Sequence, residues 1–484
     1  MVQVSLTNKV IKGSFWLFSV TVASRFLNFL KTLLLAKLLA PHDFGLIGAT
    51  LLIMGIFETF TQTGTATLLV QKKGNIDEYM DTAWTINVVR GIVIFFSLFF
   101  GAPLAGIFFK NTAIIPFIRI LAFSRLMIAF SSAKFVFVQR EFQFRKKFIY
   151  ELSANITDIT LSVILAYYLR NASALVWGLF GANVVRFVLS HVFFPHFPRL
   201  KYDIKKIREF ANYGRWIFWS SILFYVISNG DSIFVGKVLG LVALGFYQIA
   251  YRIASMPAFE VSRVINDVTF PAYAKLQDDS ARLKQAYLKV FGVTTFLIFP
   301  LAMLIFLHIR DVVLFIMGNR WLPIVPVVQL LGIFGIARSL GTINGALFKS
   351  CGKPKYDTVS AFIKLICMAV LIYPLTIKWG IIGTALSTTL PIILSQSYSF
   401  AMTSRIVRIK PKEYFFLFLP PIVGVLFMFF VSCCFNLALP KNIFSACASA
   451  IFSIATYLFC FHVINKKIRK PNILTLIKQS LAYA

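Results

Sequence analysis

Long unbroken apolar runs govern what this chain can fold into. Fourteen stretches of about twenty residues or more follow one another, near 14–39, 44–70, 83–108, 114–138, 150–169, 173–195, 213–239, 241–270, 289–316, 323–348, 356–378, 380–403, 413–435 and 442–464. A helix of about twenty apolar residues crosses the hydrocarbon core of a bilayer. The strands of a membrane barrel alternate in hydrophobicity over shorter segments. Continuous runs therefore predict an all-α polytopic membrane protein with about fourteen transmembrane helices.

The formal net charge is +31. On a soluble protein that surplus suggests nucleic acid. Here cytoplasmic loops rich in Lys and Arg explain it, and no nucleic-acid partner is expected. One set of loops is basic: Lys72 and Lys73; Arg140, Arg145, Lys146 and Lys147; Arg199, Lys201, Lys205, Lys206 and Arg208; Lys349, Lys353 and Lys355. The opposite loops are short and nearly uncharged. With an even number of spans, both termini are expected in the cytoplasm, and the chain in a bacterial cytoplasmic (inner) membrane. The short outer loops cannot house a catalytic domain, so no enzyme and no catalytic residues are expected. The six Cys include no CxxC and the five His form no ligand pattern; no metal and no cofactor are expected.

The chain repeats itself at an offset of 200. Trp16 matches Trp216, Phe18 matches Phe218, Lys37 matches Lys237, Leu39 matches Leu239 and Gly45 matches Gly245. Six spans separate the copies, so they share an orientation, the parallel repeat found in many secondary transporters. The expected organisation is an N-terminal six-helix lobe over 1–195 and a cytoplasmic amphipathic linker over 196–212. A C-terminal six-helix lobe over 213–403, two peripheral helices over 404–464 and a basic cytoplasmic tail over 465–484 complete it.

Several apolar runs carry charge. In the eighth, Arg263 lies about 20° around the helix from Arg252, and Glu260 and Asp267 fall within about 80° of Arg263. Each ionised group at mid-membrane costs about 2.5–3.5 kcal/mol or more, so such a stripe should face a bundle interior or a wet cavity. The first run carries Arg25 near its centre, with Lys31 pointing elsewhere. The second carries Glu58, Thr61, Gln62 and Thr65 at helical spacing, predicting one polar face. The fifth does the same with Glu151, Asn155, Asp158 and Ser162, and the seventh carries Asp231. Ion pairing that only fixes packing is the alternative for any one of these residues.

The segments Gly-Ser-Phe-Trp (13–16), Leu-Ala-Lys-Leu-Leu-Ala-Pro-His-Asp-Phe-Gly (35–45), Leu-Val-Gln-Lys-Lys (69–73), Gln-Arg-Glu-Phe-Gln-Phe (139–144) and Tyr-Arg-Ile-Ala-Ser-Met-Pro (251–257) carry a resemblance. Together they resemble bacterial polysaccharide flippases of the Wzx type, in the multidrug/oligosaccharidyl-lipid/polysaccharide superfamily, and among them the colanic-acid and teichuronic-acid exporters. The resemblance covers residues 5 to about 400. It implies two six-helix lobes in a V with two peripheral helices. It implies as cargo an oligosaccharide repeat unit on undecaprenyl pyrophosphate, moved to the outer leaflet by alternating access. It also implies a cationic cavity, for which Arg25, Arg252 and Arg263 are the candidates. A sugar needs polar walls, and Thr61, Gln62, Thr65 and Ser228 can supply its hydrogen bonds. Glu58, Asp158, Asp231 and Glu260 are candidate counter-ions, or couple transport to protons or sodium. A polysaccharide polymerase and chain-length proteins are the expected partners. The alternative is a multidrug exporter of the same superfamily.

Overall fold

The computed structural model describes residues 2–65, 68, 69, 76–141, 143–195, 199–438 and 443–468. Its long helices are α1 (Val2–Leu38), α2 (Pro41–Phe60), α3 (Asp77–Phe108), α4 (Ile114–Ala129), α5 (Phe144–Leu169), α6 (Ser173–Phe193), α7 (Ile204–Val238), α8 (Leu241–Leu276), α9 (Ser280–Val312), α10 (Ile324–Ser350), α11 (Lys355–Val407), α12 (Pro411–Ala438) and α13 (Ile443–Ile468). No strand occurs among the described residues. Among them, ten stretches are long and apolar enough to cross a membrane.

α11 is two helical limbs that turn at Gly380, whose φ of 58° and ψ of −136° are non-helical. With its limbs counted apart, the fourteen expected spans each have a helix. Only glycine adopts that backbone without strain. The Thr376 and Thr384 hydroxyls lie 2.9 Å apart across the turn. Gly380→Ala is expected to cost about 1–3 kcal/mol, read as a lower unfolding midpoint of the purified chain in detergent. An unchanged midpoint would mean that the turn relaxes around a side chain.

The chain divides into two compact units, residues 1–245 and 246–484. Within the first, α5 packs on α6 and α1, α3 on α4, α4 on α6, and α2 on both α4 and α7. Within the second, α9 packs on α10 and α12, α10 on α11, and α12 on α13. The core of the second unit gathers Tyr273, Tyr287, Phe291, Ile343 and Leu347. The repeat is plain in the helix ends. α1 ends at Leu38 and α2 starts at Pro41; α7 ends at Val238 and α8 starts at Leu241. The Leu39 N–H donates to the Leu35 carbonyl at 2.8 Å, and the Leu239 N–H to the Val235 carbonyl at 2.8 Å.

Three segments differ from the sequence expectation. The second span does not continue as helix to residue 70, because α2 stops at Phe60 and non-helical backbone follows over 61–64. Thr61 turns its hydroxyl back to the Phe57 carbonyl at 2.7 Å, and Gly64 takes φ +67°. Threonine hydroxyls that compete for backbone groups and a left-handed glycine end a helix. The fourth span also ends early, at Ala129, and a short 3-10 turn follows over Ala133–Val136. Finally, the expected amphipathic segment leads straight into the membrane run: α7 is one helix from Ile204 to Val238. Phe210 is not on an exposed face of that helix. It is buried against Leu68, Leu69, Ile76, Met80 and Ala83.

Candidate functional site

The break after α2 opens onto a cavity of about 410 Å3, with Glu58, Thr65, Asn87, Arg90, Arg125 and Lys147 in its lining. Each element brings its polar groups there for a local reason. Glu58 sits in the last turn of α2. Asn87 and Arg90 are one turn apart on α3 and so share a face. Arg125 lies in the last turn but one of α4, and Lys147 in the first turn of α5. Irregular backbone at membrane depth is tolerated where it is buried in protein or lines a wet cavity.

The geometry joins the break to the charges. Arg125 Nε lies 2.6 Å from Glu58 Oε1. Arg90 donates from Nη2 to the Glu58 carbonyl at 2.9 Å and from Nε to the Thr61 hydroxyl at 3.2 Å. Arg90 thus satisfies a carbonyl that the end of α2 leaves without a helical partner. The Thr65 hydroxyl donates to Asn87 Oδ1 at 3.2 Å. Three cations, Arg90, Arg125 and Lys147, line the cavity against one carboxylate, Glu58. Guanidinium groups keep their charge and bind oxyanions in bidentate fashion. The Arg125 and Glu58 side chains are about a third exposed, at 35% and 32%, and both line the cavity, although the two atoms in contact are themselves buried.

A second buried pair stands apart from the cavity lining. Lys31 Nζ lies 2.6 Å from Asp158 Oδ1, with both side chains less than a tenth exposed. Ser24, seven residues before Lys31, accepts from Asn155 Nδ2 at 2.8 Å. The polar face expected on α5 is therefore real, and α1 covers it. Lys31, set on a different side of α1 from Arg25, meets that face. Arg186 reaches Glu151 at 3.2 Å and Asn183 at 3.2 Å.

The remaining expected site residues fall as follows. Arg25 is half-buried on α1 and Asp231 is buried on α7, where its carboxylate accepts the Ser232 N–H at 2.7 Å. Gln62 is exposed in the break after α2, not on a helical face. These three, with Glu58 and Asp158, belong to the first unit; Arg252, Glu260 and Arg263 belong to the second. Arg252 is exposed on α8, and the side chains of Glu260 and Arg263 lie outside the described residues. The sequence reading passes over Arg90. The signal was present, since Arg90 is the only ionisable residue between Asp81 and Lys110 and has Asn87 three positions before it. A lone charge in an apolar run is a functional candidate by default.

A family described as "Polysaccharide biosynthesis protein" matches residues 34–326. One relative is the lipopolysaccharide biosynthesis protein WzxC of Escherichia coli K12, 28% identical over 84% of this chain and 82% of its own length. Another is the teichuronic acid biosynthesis protein TuaB of Bacillus subtilis, 21% identical over 72% of this chain and 73% of its own. Among solved structures, the inward closed conformation of the lipid II flippase MurJ superposes with a TM-score of 0.74. It is 15% identical and covers 94% of this chain and 99% of that one. An inward-facing multidrug resistance transporter of the MATE family superposes at 0.62, with 14% identity, covering 80% of this chain and 96% of that one. At these identities the structural likeness speaks to the fold alone, a two-lobe all-α fold.

Proposed function

The chain belongs to the polysaccharide biosynthesis protein family, and from that premise we propose that it is a flippase for lipid-linked oligosaccharides. In this reading it carries undecaprenyl-pyrophosphate-linked repeat units from the inner to the outer leaflet of the bacterial cytoplasmic membrane. It works by alternating access of its two halves, with both termini in the cytoplasm. Transport is coupled to a proton or sodium ion, and a polymerase and chain-length proteins take over the product. The single observation that supports this most is the cationic cavity beside the break after α2. A diphosphate needs fixed cations, a sugar needs hydroxyl and amide partners, and Arg90, Arg125, Thr65 and Asn87 supply both in one place. A lipid tail can stay in the bilayer meanwhile. A carrier of cationic drugs would instead meet three cations against one carboxylate there. Arg25, Arg252, Arg263 and Gln62 are proposed as further cargo contacts, and Asp231 and Glu260 as counter-ions or coupling groups.

The test is complementation of a strain that lacks its own flippase, with export of polymer measured at matched expression. Wild type is expected to restore polymer. Arg125→Ala is expected to lower export about tenfold or more, the loss of one charge-assisted contact of about 1.5–3 kcal/mol. Arg252→Ala is expected to fail and Arg252→Lys to recover in part. Normal export by both Arg252 variants would remove that residue from the cargo site. Accumulation of lipid-linked intermediates on the inner leaflet in every strain, wild type included, would overturn the reading.

A further inference from the structure

Resting on the flippase reading, we propose that Glu58 is a built-in stand-in for the cargo's diphosphate, held by Arg125 until the diphosphate displaces it. The two arginines of the cavity are not equivalent. Arg90 is committed to the backbone: it donates to the Glu58 carbonyl and to the Thr61 hydroxyl. It holds the end of α2 in place, and its charge follows the break. Arg125 makes one polar contact among the described residues, its Nε to the Glu58 carboxylate at 2.6 Å. Lys147, also in the lining, has no ion pair among the described residues. Arg125 and Lys147 are therefore the groups an incoming oxyanion can take over.

The Glu58 side chain stands in the last turn of α2, where the helix dipole disfavours a negative charge. The guanidinium of Arg125 offsets that penalty. A diphosphate offers the same oxygens in greater number and at higher charge, against a lining that carries three cations and one carboxylate. Exchange replaces one ion pair by another, so Arg125 has an anion beside it both before and after the cargo arrives. A neutral sugar or an organic cation cannot make that exchange. Glu58 thereby sets a threshold: only a ligand that outcompetes a carboxylate occupies the cavity. It also provides release, because the carboxylate returns as the diphosphate leaves.

The experiment measures binding of inorganic pyrophosphate and of farnesyl diphosphate to the purified full chain in detergent, by calorimetry in metal-free buffer. Glu58→Gln keeps the side-chain size and removes the competitor. It is expected to tighten farnesyl diphosphate about tenfold, or ~1.4 kcal/mol, and at the same time to slow polymer export in the complementation strain. Arg125→Gln is expected to weaken binding more than tenfold. In the double variant, Glu58→Gln is expected to give no gain, a coupling that two independent charge changes would not show. Glu151→Gln makes the same charge change in the Arg186 pair and is expected to leave binding as in wild type.

Unchanged or weaker binding by a folded Glu58→Gln variant overturns the stand-in role. So does an equal gain from Glu151→Gln, which would make the effect one of net charge. Equal affinity for the two probes would assign the site to free oxyanions and overturn the lipid-borne source. A wild type that exports polymer but binds neither probe overturns this inference and leaves the flippase reading intact. A wild type that shows the full exchange pattern but exports no polymer supports the stand-in and overturns the flippase reading.

Discussion

Asp158→Ala is expected to lower the unfolding free energy of the chain by about 3–5 kcal/mol, the cost of leaving one partner of a buried pair alone. Lys31 and Asp158 meet at 2.6 Å with side chains 9% and 8% exposed, and Ser162 donates to the same carboxylate oxygen at 3.3 Å. Gly178 closes the site from α6, where a Cβ would stand 1.9 Å from Ser162 Oγ and 2.8 Å from Asp158 Oδ1. With that cage around it, the Lys31 ammonium loses the carboxylate that faces it in a site closed to bulk water. Replacing both partners by apolar groups, as in Lys31→Met with Asp158→Leu, is expected to recover most of the loss, because an ion pair and a packed apolar pair are of similar worth in an interior. Denaturant titration of the three variants in one detergent measures this. If Asp158→Ala unfolds within about 0.5 kcal/mol of wild type, the normal scatter of neutral changes, the pair is not structural. A transport role for Asp158 then becomes the better explanation of why α1 and α5 carry these charges.

That pair also shows where the sequence stopped being legible. Lys31 and Asp158 are 127 positions apart, and each alone reads as a charge in an apolar run. Periodicity places Asp158 on a polar face with Asn155 and Ser162, and that face is present. It does not say which helix covers the face, so Lys31 goes unmatched. The break after α2 is a different case. Glu58, Thr61, Gln62 and Thr65 fit helical spacing, yet the same stretch holds four threonines and Gly64, whose local hydrogen bonding and left-handed backbone outweigh the periodic pattern. Without the break there is no cavity, and without the cavity Arg90 is only a charge in a long span. Legibility was best where the chain repeats. Lys37 and Lys237, Leu39 and Leu239, Gly45 and Gly245 flank helix ends that coincide to the residue at an offset of 200, because similar local sequence makes the same helix junction twice.

The paired glycines carry the last prediction. A Cβ on Gly45 would stand 1.8 Å from the Leu241 carbonyl oxygen, and one on Gly245 would stand 1.9 Å from the Pro41 carbonyl oxygen. Leu241 and Gly245, the first turn of α8, belong to the first unit. Each glycine thus presses on the backbone of the first residue of the counterpart helix. A side chain could rotate aside; a carbonyl cannot, so the two helix starts must separate. Small residues at such crossings are what let helices approach backbone to backbone. Gly45→Ala and Gly245→Ala are each expected to cost at least the ~3 kcal/mol that marks severe overpacking. They should sharply reduce the yield of folded, monodisperse protein. Gly101→Ala, inside α3 with nothing within 4 Å of the new methyl, is the control, and is expected to be neutral or to gain about 0.5–1 kcal/mol from helix propensity. If Gly45→Ala behaves like Gly101→Ala, the close crossing is wrong. The double variant distinguishes a shared contact from two separate ones. One separation of the helix starts relieves both methyls, so its cost is expected to fall well below the sum of the singles, where independent sites would add within about 0.5 kcal/mol.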